Sequence, residues 1–203
     1  MAQLAQREAE DPVRVRPLLG DIRQAGADCQ AFIQRMLAFT RVSRSERRLT
    51  DLGVLIQDTI DLFQQSTERQ PLITTELPQS PRTLAVDPVL IRHALFNLLA
   101  NAAQANAPGA EIRVRLQTVT GADGRAGWSL QVIDQGPGFS DEVREKLFTP
   151  FFTTRPSGTG LGLAVVQHVA ALHDGNASGD NRPGGGAVFA LWLPTTADPE
   201  RTP

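Results

Sequence analysis

Residues 87–106 constrain the fold of this chain more than any other stretch, because a start signal, an apolar stripe and a stop signal agree on one helix. Asp87 followed by Pro88 is typical of a helix start, since the carboxylate caps the first turn and proline fits the first helical position. Leucine and alanine recur at helical spacing until an Ala-Pro-Gly turn. Asn97 and Asn101, four residues apart, share the opposite face. The pattern predicts an amphipathic helix with two amides on its polar side.

The two amides have two readings. They either cap neighbouring backbone, or bind a ligand or a hydrated cation through their neutral oxygens. His93 and Gln104 continue the same polar stripe. The residues of this helix alone leave both readings open.

Two glycine-containing turns adjoin other predicted elements. A strand over residues 128–133 runs into Asp134-Gln135-Gly136-Pro137-Gly138, where a carboxylate and flexible backbone suit recognition of a planar base. The glycine run at 158–162 opens a helix over 161–173, and free N–H groups at a helix N-terminus suit phosphate. Taken singly, the first turn could be only a tight turn, and the glycine run at 158–162 could serve only helix packing.

The remaining periodicities complete a mixed α/β pattern. They predict a helix from Asp51 to about Ser66 and a short helix from Ser140 to near Phe148. Further strands are expected over residues 72–77, 83–86, 112–119 and 187–193, and residues 41–50 are polar and basic enough to be a linker.

Basic-residue usage excludes several classes of protein. Of the 20 basic residues 19 are arginine, and the single lysine, Lys146, lies in neither a P-loop nor a protein-kinase strand motif. A net charge of −2 lacks the basic excess typical of nucleic-acid binding. One cysteine, Cys29, excludes an internal disulfide and a cysteine-rich zinc site, and fits a reducing cytosol. We also expect no membrane-spanning segment and no signal peptide.

Four motifs in order carry a resemblance to a known family. NLLANAAQA, DQGPGF, LFTPFFTTR and GTGLGLAVV resemble the N box, first glycine box, F box and second glycine box of the histidine-kinase ATP-binding domain. That domain is one of the Bergerat-type ATPases, with the gyrase B subunit and the mismatch-repair ATPases. The resemblance covers roughly residues 50–195. It implies a two-layer α/β sandwich, with a mixed sheet and helices on one face, preceded by a long N-terminal helix.

The resemblance also implies a site for ATP and Mg²⁺. Asn101 would hold the metal ion, Asn97 would face the phosphates beside it, and Asp134 would accept a hydrogen bond from the adenine amine. Asn97, Asn101 and Arg155 form the implied catalytic set, and Phe148, Phe151 and Phe152 would anchor the segment that covers the phosphates. The implied nucleotide-binding residues are Asn97, Asn101, Gln104, Asp134, Gly136, Gly138, Phe152, Arg155, Gly158, Thr159, Gly160, Leu161 and Gly162.

Two positions in the N box depart from the pattern of related enzymes. The hydrolytic members of the superfamily have glutamate where this chain has Asn97, and a neutral amide cannot take a proton from water. We therefore expect no efficient ATP hydrolysis. Gln104 stands where many family members have a basic residue, which makes Arg155 more important for the phosphates.

The N-terminal part predicts a second domain. Apolar residues from Leu18 to Phe39 step 4-3-4-3 along one helix, which is typical of a seam that packs against another helix. The sequence QAFIQRMLAFTR resembles the second helix of a kinase dimerisation hairpin. We therefore expect residues 1–45 to be part of that hairpin and residues 46–203 to be the ATP-binding domain, with a homodimer through residues 18–39 as one outcome.

The phospho-acceptor of such a kinase is missing from the sequence. The only histidines are His93, His168 and His173, all inside the ATP-binding region, and we expect each to be structural. The resemblance therefore implies transfer of the γ-phosphoryl group of Mg²⁺-ATP to a histidine on another helix, without labelling of the isolated chain.

The implied partners follow from that activity. A response regulator receiver domain is expected, with no nucleic acid and no direct membrane contact, and a cytoplasmic location whether or not the parent protein is membrane-anchored. Two alternatives stay open: an anti-sigma-type serine kinase of the same superfamily, and a non-catalytic ATP-binding regulator.

Overall fold

The computed structural model describes residues 46–67, 71–79, 82–155 and 158–195. The predicted N-terminal domain of residues 1–45 and its seam at 18–39 lie outside the described residues, so both stay predictions.

The described chain contains four helices and seven strands. The helices are α1 (Leu52–Ser66), α2 (Pro88–Ala105), α3 (Asp141–Arg144) and α4 (Gly162–Leu172). The strands are β1 (Arg48–Asp51), β2 (Leu72–Glu76), β3 (Thr83–Val86), β4 (Glu111–Thr120), β5 (Ala126–Ile133), β6 (Asn176–Asn181) and β7 (Ala187–Pro194).

Five of the strands form one mixed sheet in the order β2-β4-β5-β7-β6. β2 runs parallel to β4, and the other neighbouring pairs are antiparallel. The two remaining strands, β1 and β3, pair with each other in a small antiparallel sheet. The predicted two-layer α/β class with a mixed sheet is confirmed.

The core lies between the five-stranded sheet and helices α1, α2 and α4. Alternate residues of β4, among them Ile112 and Val114, are fully buried while their neighbours are partly exposed, because successive side chains of a strand point to opposite faces. Leu95 and Leu99 of α2 are likewise fully buried. α2 packs against both α1 and α4, so its apolar side is enclosed and only its amide-bearing side is left for a ligand.

The start of α2 is tied to the end of α4 by a buried histidine. The backbone N–H of Asp87 donates to Nε2 of His173 at 3.0 Å, and Nδ1 of His173 lies 2.8 Å from the Val169 carbonyl oxygen. Nε2 must therefore accept and Nδ1 must donate, which fixes the imidazole in its neutral form. The Asp87 carboxylate accepts from the first N–H groups of α2, as a helix cap should.

The C-terminal end of α4 is also held by a residue that precedes β1. Nη2 of Arg47 donates to the Leu172 carbonyl oxygen at 2.6 Å and to the Asp174 carboxylate at 2.8 Å. A guanidinium here satisfies a carbonyl group at the negative end of the helix dipole. The chain segment that enters β1 is thereby fixed to α4.

Most of the expected helices and strands are present, with small shifts of their ends, but two predictions are wrong in part and one strand was not expected. The linker prediction for residues 41–50 is wrong at 48–50, because these residues pair with β3 as part of strand β1. α3 ends at Arg144 and the chain continues in turns toward Phe148. β6 was not predicted at all: its sequence NASGDN is polar, yet it pairs with β7 at the sheet edge.

Burial of His173 predicts a pH dependence of folding. Burial lowers the pKa of His173, Arg47 lowers it further, and the Val169 carbonyl, Asp87 and Asp174 oppose the shift. Because the folded protein keeps His173 neutral, the unfolded chain binds more protons below about pH 6.5, the usual pKa of histidine. The free energy of unfolding should therefore fall as the pH is lowered from 7.5 toward 5, measured by chemical denaturation.

Two variants separate His173 from the other titrating groups. His173→Gln keeps a side-chain acceptor for the Asp87 N–H but cannot titrate, so its stability should depend less steeply on pH between 7.5 and 5. His93→Gln, at an exposed position, should keep the wild-type slope. Equal slopes in wild type and His173→Gln would contradict the prediction.

Candidate nucleotide-binding site

Three polar residues of α2 lie along the accessible side of the helix. Asn97 and Asn101 are half-buried and Gln104 is exposed. Nδ2 of Asn97 donates to the His93 carbonyl oxygen one turn earlier at 2.9 Å, which fixes the orientation of the Asn97 amide. Gly162, the first residue of α4, lies against the Asn97 side chain. The N box therefore meets the second glycine box directly.

The Asp134 carboxylate is a buried acceptor at the end of β5. Its residue is 2% exposed, and Oδ1 accepts from the backbone N–H groups of Gly136 at 2.9 Å and Ala187 at 3.0 Å. No hydrogen bond reaches Oδ2 from any residue that the structure describes. Two backbone donors thus hold the carboxylate in place and leave one oxygen for a ligand.

Two asparagines that the sequence analysis did not single out shape the first glycine box. Oδ1 of Asn106, just after α2, accepts from the Gln135 N–H at 2.8 Å, and its Nδ2 donates to the Glu111 carbonyl at 3.1 Å. Asn181 exchanges two hydrogen bonds with the Phe139 backbone, at 2.9 and 2.5 Å. Asn106 is 8% exposed. The sequence marks Asn106 only as a polar residue between a helix and a strand, which is also typical of an ordinary helix cap.

The segment between α3 and α4 folds back on itself. The Phe151 N–H donates to the Gly160 carbonyl oxygen at 2.9 Å, and both residues have positive φ, 67° and 65°. A Cβ on Gly160 would overlap the Phe151 backbone, so glycine is required there. The Phe151 side chain is 60% exposed. In this structure Phe151 contributes backbone geometry, and the anchoring role of its ring stays a prediction.

Arg155 joins this segment to α2. Its Nη1 donates to Oδ1 of Asn101 at 3.1 Å and to Oε1 of Gln104 at 2.8 Å. Both Nη1 hydrogens are used in this way, and the structure gives Nη2 and Nε no partner among the described residues. A guanidinium has five N–H donors, so three remain to meet an anion.

The start of α4 adds a second group that favours anions. Leu161 at the N-cap makes no side-chain hydrogen bond to the first turn. The first backbone N–H groups of this 11-residue helix therefore lack a side-chain cap, at the positive end of its dipole. Arg155, the two amides and this helix end together form a site suited to phosphate.

The predicted site residues fall into two clusters joined by α2. Gly136 lies against Ala105, at the end of α2, and defines the Asp134 end. The other cluster lies along the face of α2 from Asn97, which Gly162 contacts, to Asn101 and Gln104, which Arg155 contacts. Of the three histidines expected to be structural, His173 is buried, whereas His93 is exposed on the surface of α2.

The residues present fit a magnesium ion bound partly through phosphate. Asn101 presents its carboxamide oxygen toward a cationic group, which is the ligand type that Mg²⁺ accepts. In the described ranges no three or more His, Cys, Asp or Glu side chains lie close enough to hold a metal ion. The remaining ligands would then be phosphate oxygens and water, as in other nucleotide sites.

None of the helices that the structure describes is long and apolar enough to cross a membrane.

Comparison with known proteins gives one family match. The family model described as "Histidine kinase-, DNA gyrase B-, and HSP90-like ATPase" matches residues 86–197. That range contains α2, both glycine boxes and every residue of the site described above.

Individual relatives are longer than this chain. The signal transduction histidine-protein kinase AtoS of Escherichia coli (strain K12) is 31% identical over 201 residues, which cover 98% of this chain and 32% of AtoS. The chain therefore spans about a third of that relative. The catalytic domain of histidine kinase ThkA superimposes with a TM-score of 0.65 at 28% identity, covering 74% of this chain and 97% of that chain.

A second ThkA structure supports the fold alone. ThkA in complex with the response regulator protein TrrA matches with a TM-score of 0.73 at 23% identity, covering 95% of this chain and 54% of that chain.

The free oxygen of Asp134 generates a prediction about nucleotide binding. Asp134→Asn removes the negative charge and places either an N–H₂ group or a neutral oxygen at the ligand-facing position. Neither accepts a hydrogen bond from an exocyclic amine as strongly as a carboxylate does. The loss of a charged acceptor is worth about 1.5–3 kcal/mol, and ATP affinity should fall at least about tenfold. Calorimetric titration measures it.

The matched control for this substitution is Asp58→Asn, at an exposed position of α1. It should bind ATP as the wild type does. Circular dichroism must show both variants folded. Unchanged ATP affinity in a folded Asp134→Asn protein would remove Asp134 from the pocket.

Proposed function

The chain belongs to the histidine kinase-, DNA gyrase B- and HSP90-like ATPase family and carries its ATP-binding catalytic domain, and from this we propose that it transfers the γ-phosphoryl group of Mg²⁺-ATP to a histidine. The proposal rests chiefly on one observation: Arg155 contacts two amides on the face of α2 that also meets the start of α4, with three donors left for phosphate. The cation and the helix N-terminus suit the negative charge of a triphosphate, and the Asn101 amide oxygen suits the metal ion that accompanies it.

The other end of the site would hold the base. Asp134 has one fixed oxygen and one open oxygen, which suits an exocyclic amine such as that of adenine. Gly136 next to it packs closely on the end of α2, because a Cβ there would crowd Ala105 and the fixed Asp134 oxygen. Asn106 and Asn181 keep the loop in place from both sides. Adenine is therefore favoured over guanine, which has a carbonyl oxygen at the corresponding ring position.

The chemistry would be carried by positioning and charge neutralisation. An imidazole nitrogen forms a bond to the γ-phosphorus while the bond to the β–γ bridging oxygen breaks, and ADP leaves. Asn101 would hold the Mg²⁺ ion, which when bound neutralises phosphate charge. Arg155 would orient the γ-phosphate through its free N–H donors. Asn97 is neutral and cannot activate water, which protects the phosphoryl group from hydrolysis.

The acceptor and the downstream partner are part of the same proposal. AtoS is named a histidine-protein kinase, which favours a histidine acceptor over the serine acceptor of an anti-sigma-type kinase. No histidine precedes residue 93 in this sequence, so the acceptor would be supplied by another helix. ThkA is described in complex with a response regulator protein, and we extend that partner class, a receiver domain, to this chain.

The proposal predicts binding without self-labelling. Incubated with Mg²⁺ and γ-labelled ATP, the chain alone should acquire no acid-labile label, because it lacks an acceptor helix and Asn97 does not promote hydrolysis. Adding a separate kinase hairpin that carries the acceptor histidine should give label on that hairpin, slowly, because docking is bimolecular. The readout is label retained in alkali and lost in acid.

Two controls guard this result. The same hairpin with its histidine replaced by glutamine should stay unlabelled. Because His93 is exposed near Asn97, a His93→Gln chain is run in parallel. Acid-labile label on the isolated wild type that disappears in His93→Gln would show that His93 is an acceptor and would contradict the prediction.

A further inference from the structure

Gln104 is exposed on α2, three residues after Asn101 and hence on the same face. Its strongest contact is with Arg155: Oε1 accepts from Nη1 at 2.8 Å, shorter than the 3.1 Å from Nη1 to Asn101. The amide oxygen that could have approached a ligand is therefore engaged by an arginine 51 residues away in sequence. This contact gives the Gln104 side chain a partner within the protein.

We propose that Gln104 is a positioning residue that holds the Arg155 guanidinium at the phosphate end of the site. The proposal rests on the proposed function and adds a specificity determinant to it. Gln104 and Asn101 both bind Nη1 of the guanidinium, which leaves the edge formed by Nε and Nη2 without a partner among the described residues. That edge is the one that matches two oxygens of a phosphate group.

The backbone around Arg155 supports a fixed direction for its side chain. The Arg155 N–H donates to Oγ1 of Thr153 at 3.1 Å, and the Gly158 N–H donates to the Arg155 carbonyl at 3.0 Å. A Cβ on Gly158 would overlap the Thr153 hydroxyl. The turn is therefore built closely around Arg155, and the side chain extends from it to α2.

The contact of Gln104 with Arg155 is needed because Asn101 has only one carboxamide oxygen for two positive partners. Oδ1 of Asn101 accepts from Arg155, and the same oxygen is the proposed ligand of Mg²⁺. Two positive groups on one neutral oxygen repel each other. When the metal ion takes Asn101, Gln104 is the acceptor that still holds Arg155 in place.

This arrangement predicts discrimination between ATP and ADP. If Arg155 binds the terminal phosphate, displacing its guanidinium should lower the affinity for ATP and leave the affinity for ADP nearly unchanged. In Gln104→Ala, Mg²⁺-ATP affinity should fall about three- to tenfold, the worth of one ordinary intramolecular hydrogen bond, and Mg²⁺-ADP affinity should stay within about twofold. Calorimetric titration of both nucleotides measures this.

The double variant tests whether Gln104 acts through Arg155. Arg155→Ala should lower ATP affinity at least as much as Gln104→Ala, and the combined variant should lose no more than Arg155→Ala alone. Gln65→Ala, at an exposed glutamine of α1, and Arg144→Ala, at an exposed arginine of α3, are the matched controls and should bind like wild type. An equal loss of ATP and ADP in Gln104→Ala, or additive losses in the double variant, would overturn the proposal.

A third variant gives a readout that needs no nucleotide. Gln104→Glu keeps an acceptor and adds a negative charge, so it should hold Arg155 more tightly, yet weaken ATP by repelling phosphate. Without nucleotide, hydrogen exchange at the Phe151, Arg155 and Gly158 amides should be at least about twofold faster in Gln104→Ala and slower in Gln104→Glu.

Exchange unchanged or shifted in the same direction in both variants would overturn the role of Gln104. If wild type binds no nucleotide, the proposed function fails while this exchange experiment still decides the contact. If phosphotransfer fails but the ATP and ADP affinities separate as described, the positioning role stands and the acceptor assignment is wrong.

Discussion

The packing of α2 on the sheet, with α1 and α4 beside it, is the constraint on which the rest of this structure depends. Its leucine and alanine side is almost wholly excluded from water, at roughly 25 cal/mol per Å² of apolar surface buried. That burial fixes the rotation of the helix about its axis. Asn97, Asn101 and Gln104 then have one direction available, toward the start of α4 and Arg155. The polar site is therefore oriented by apolar contacts on the other side of the same helix.

Much of this arrangement could be read from the sequence, and the reasons are local. The Asp-Pro start of α2, its apolar period and the alternation of β4 are encoded within a few residues, so they predict the elements directly. The four motifs in order identified the family, and the match over residues 86–197 confirms it. The positions of Asn97 and Asn101 on one helix face followed from spacing alone. Their roles toward a nucleotide stay predictions.

The features that the sequence did not show depend on partners far along the chain. β1 and β6 are polar strands that exist because β3 and β7 offer them hydrogen bonds, and neither has an apolar period of its own. Asn106 and Asn181 fix the Asp134 loop from two different elements. Phe151 takes a left-handed backbone conformation that its residue type does not suggest. In each case the contact that fixes the conformation joins segments far apart in the sequence, so no local residue pattern predicts it.

The contact of Arg47 with α4 has a mechanical consequence. A helix of 11 residues rises about 16 Å, and a helix of that length is stiff along its axis. Arg47 grips one end, through the Leu172 carbonyl and Asp174, while the other end begins at Gly162 beside Asn97. A displacement of β1, which follows Arg47, would therefore be transmitted along α4 to Gly162 and Asn97. Arg47 and Gly162 are 115 positions apart in the sequence, yet one helix, α4, connects the contacts of both residues.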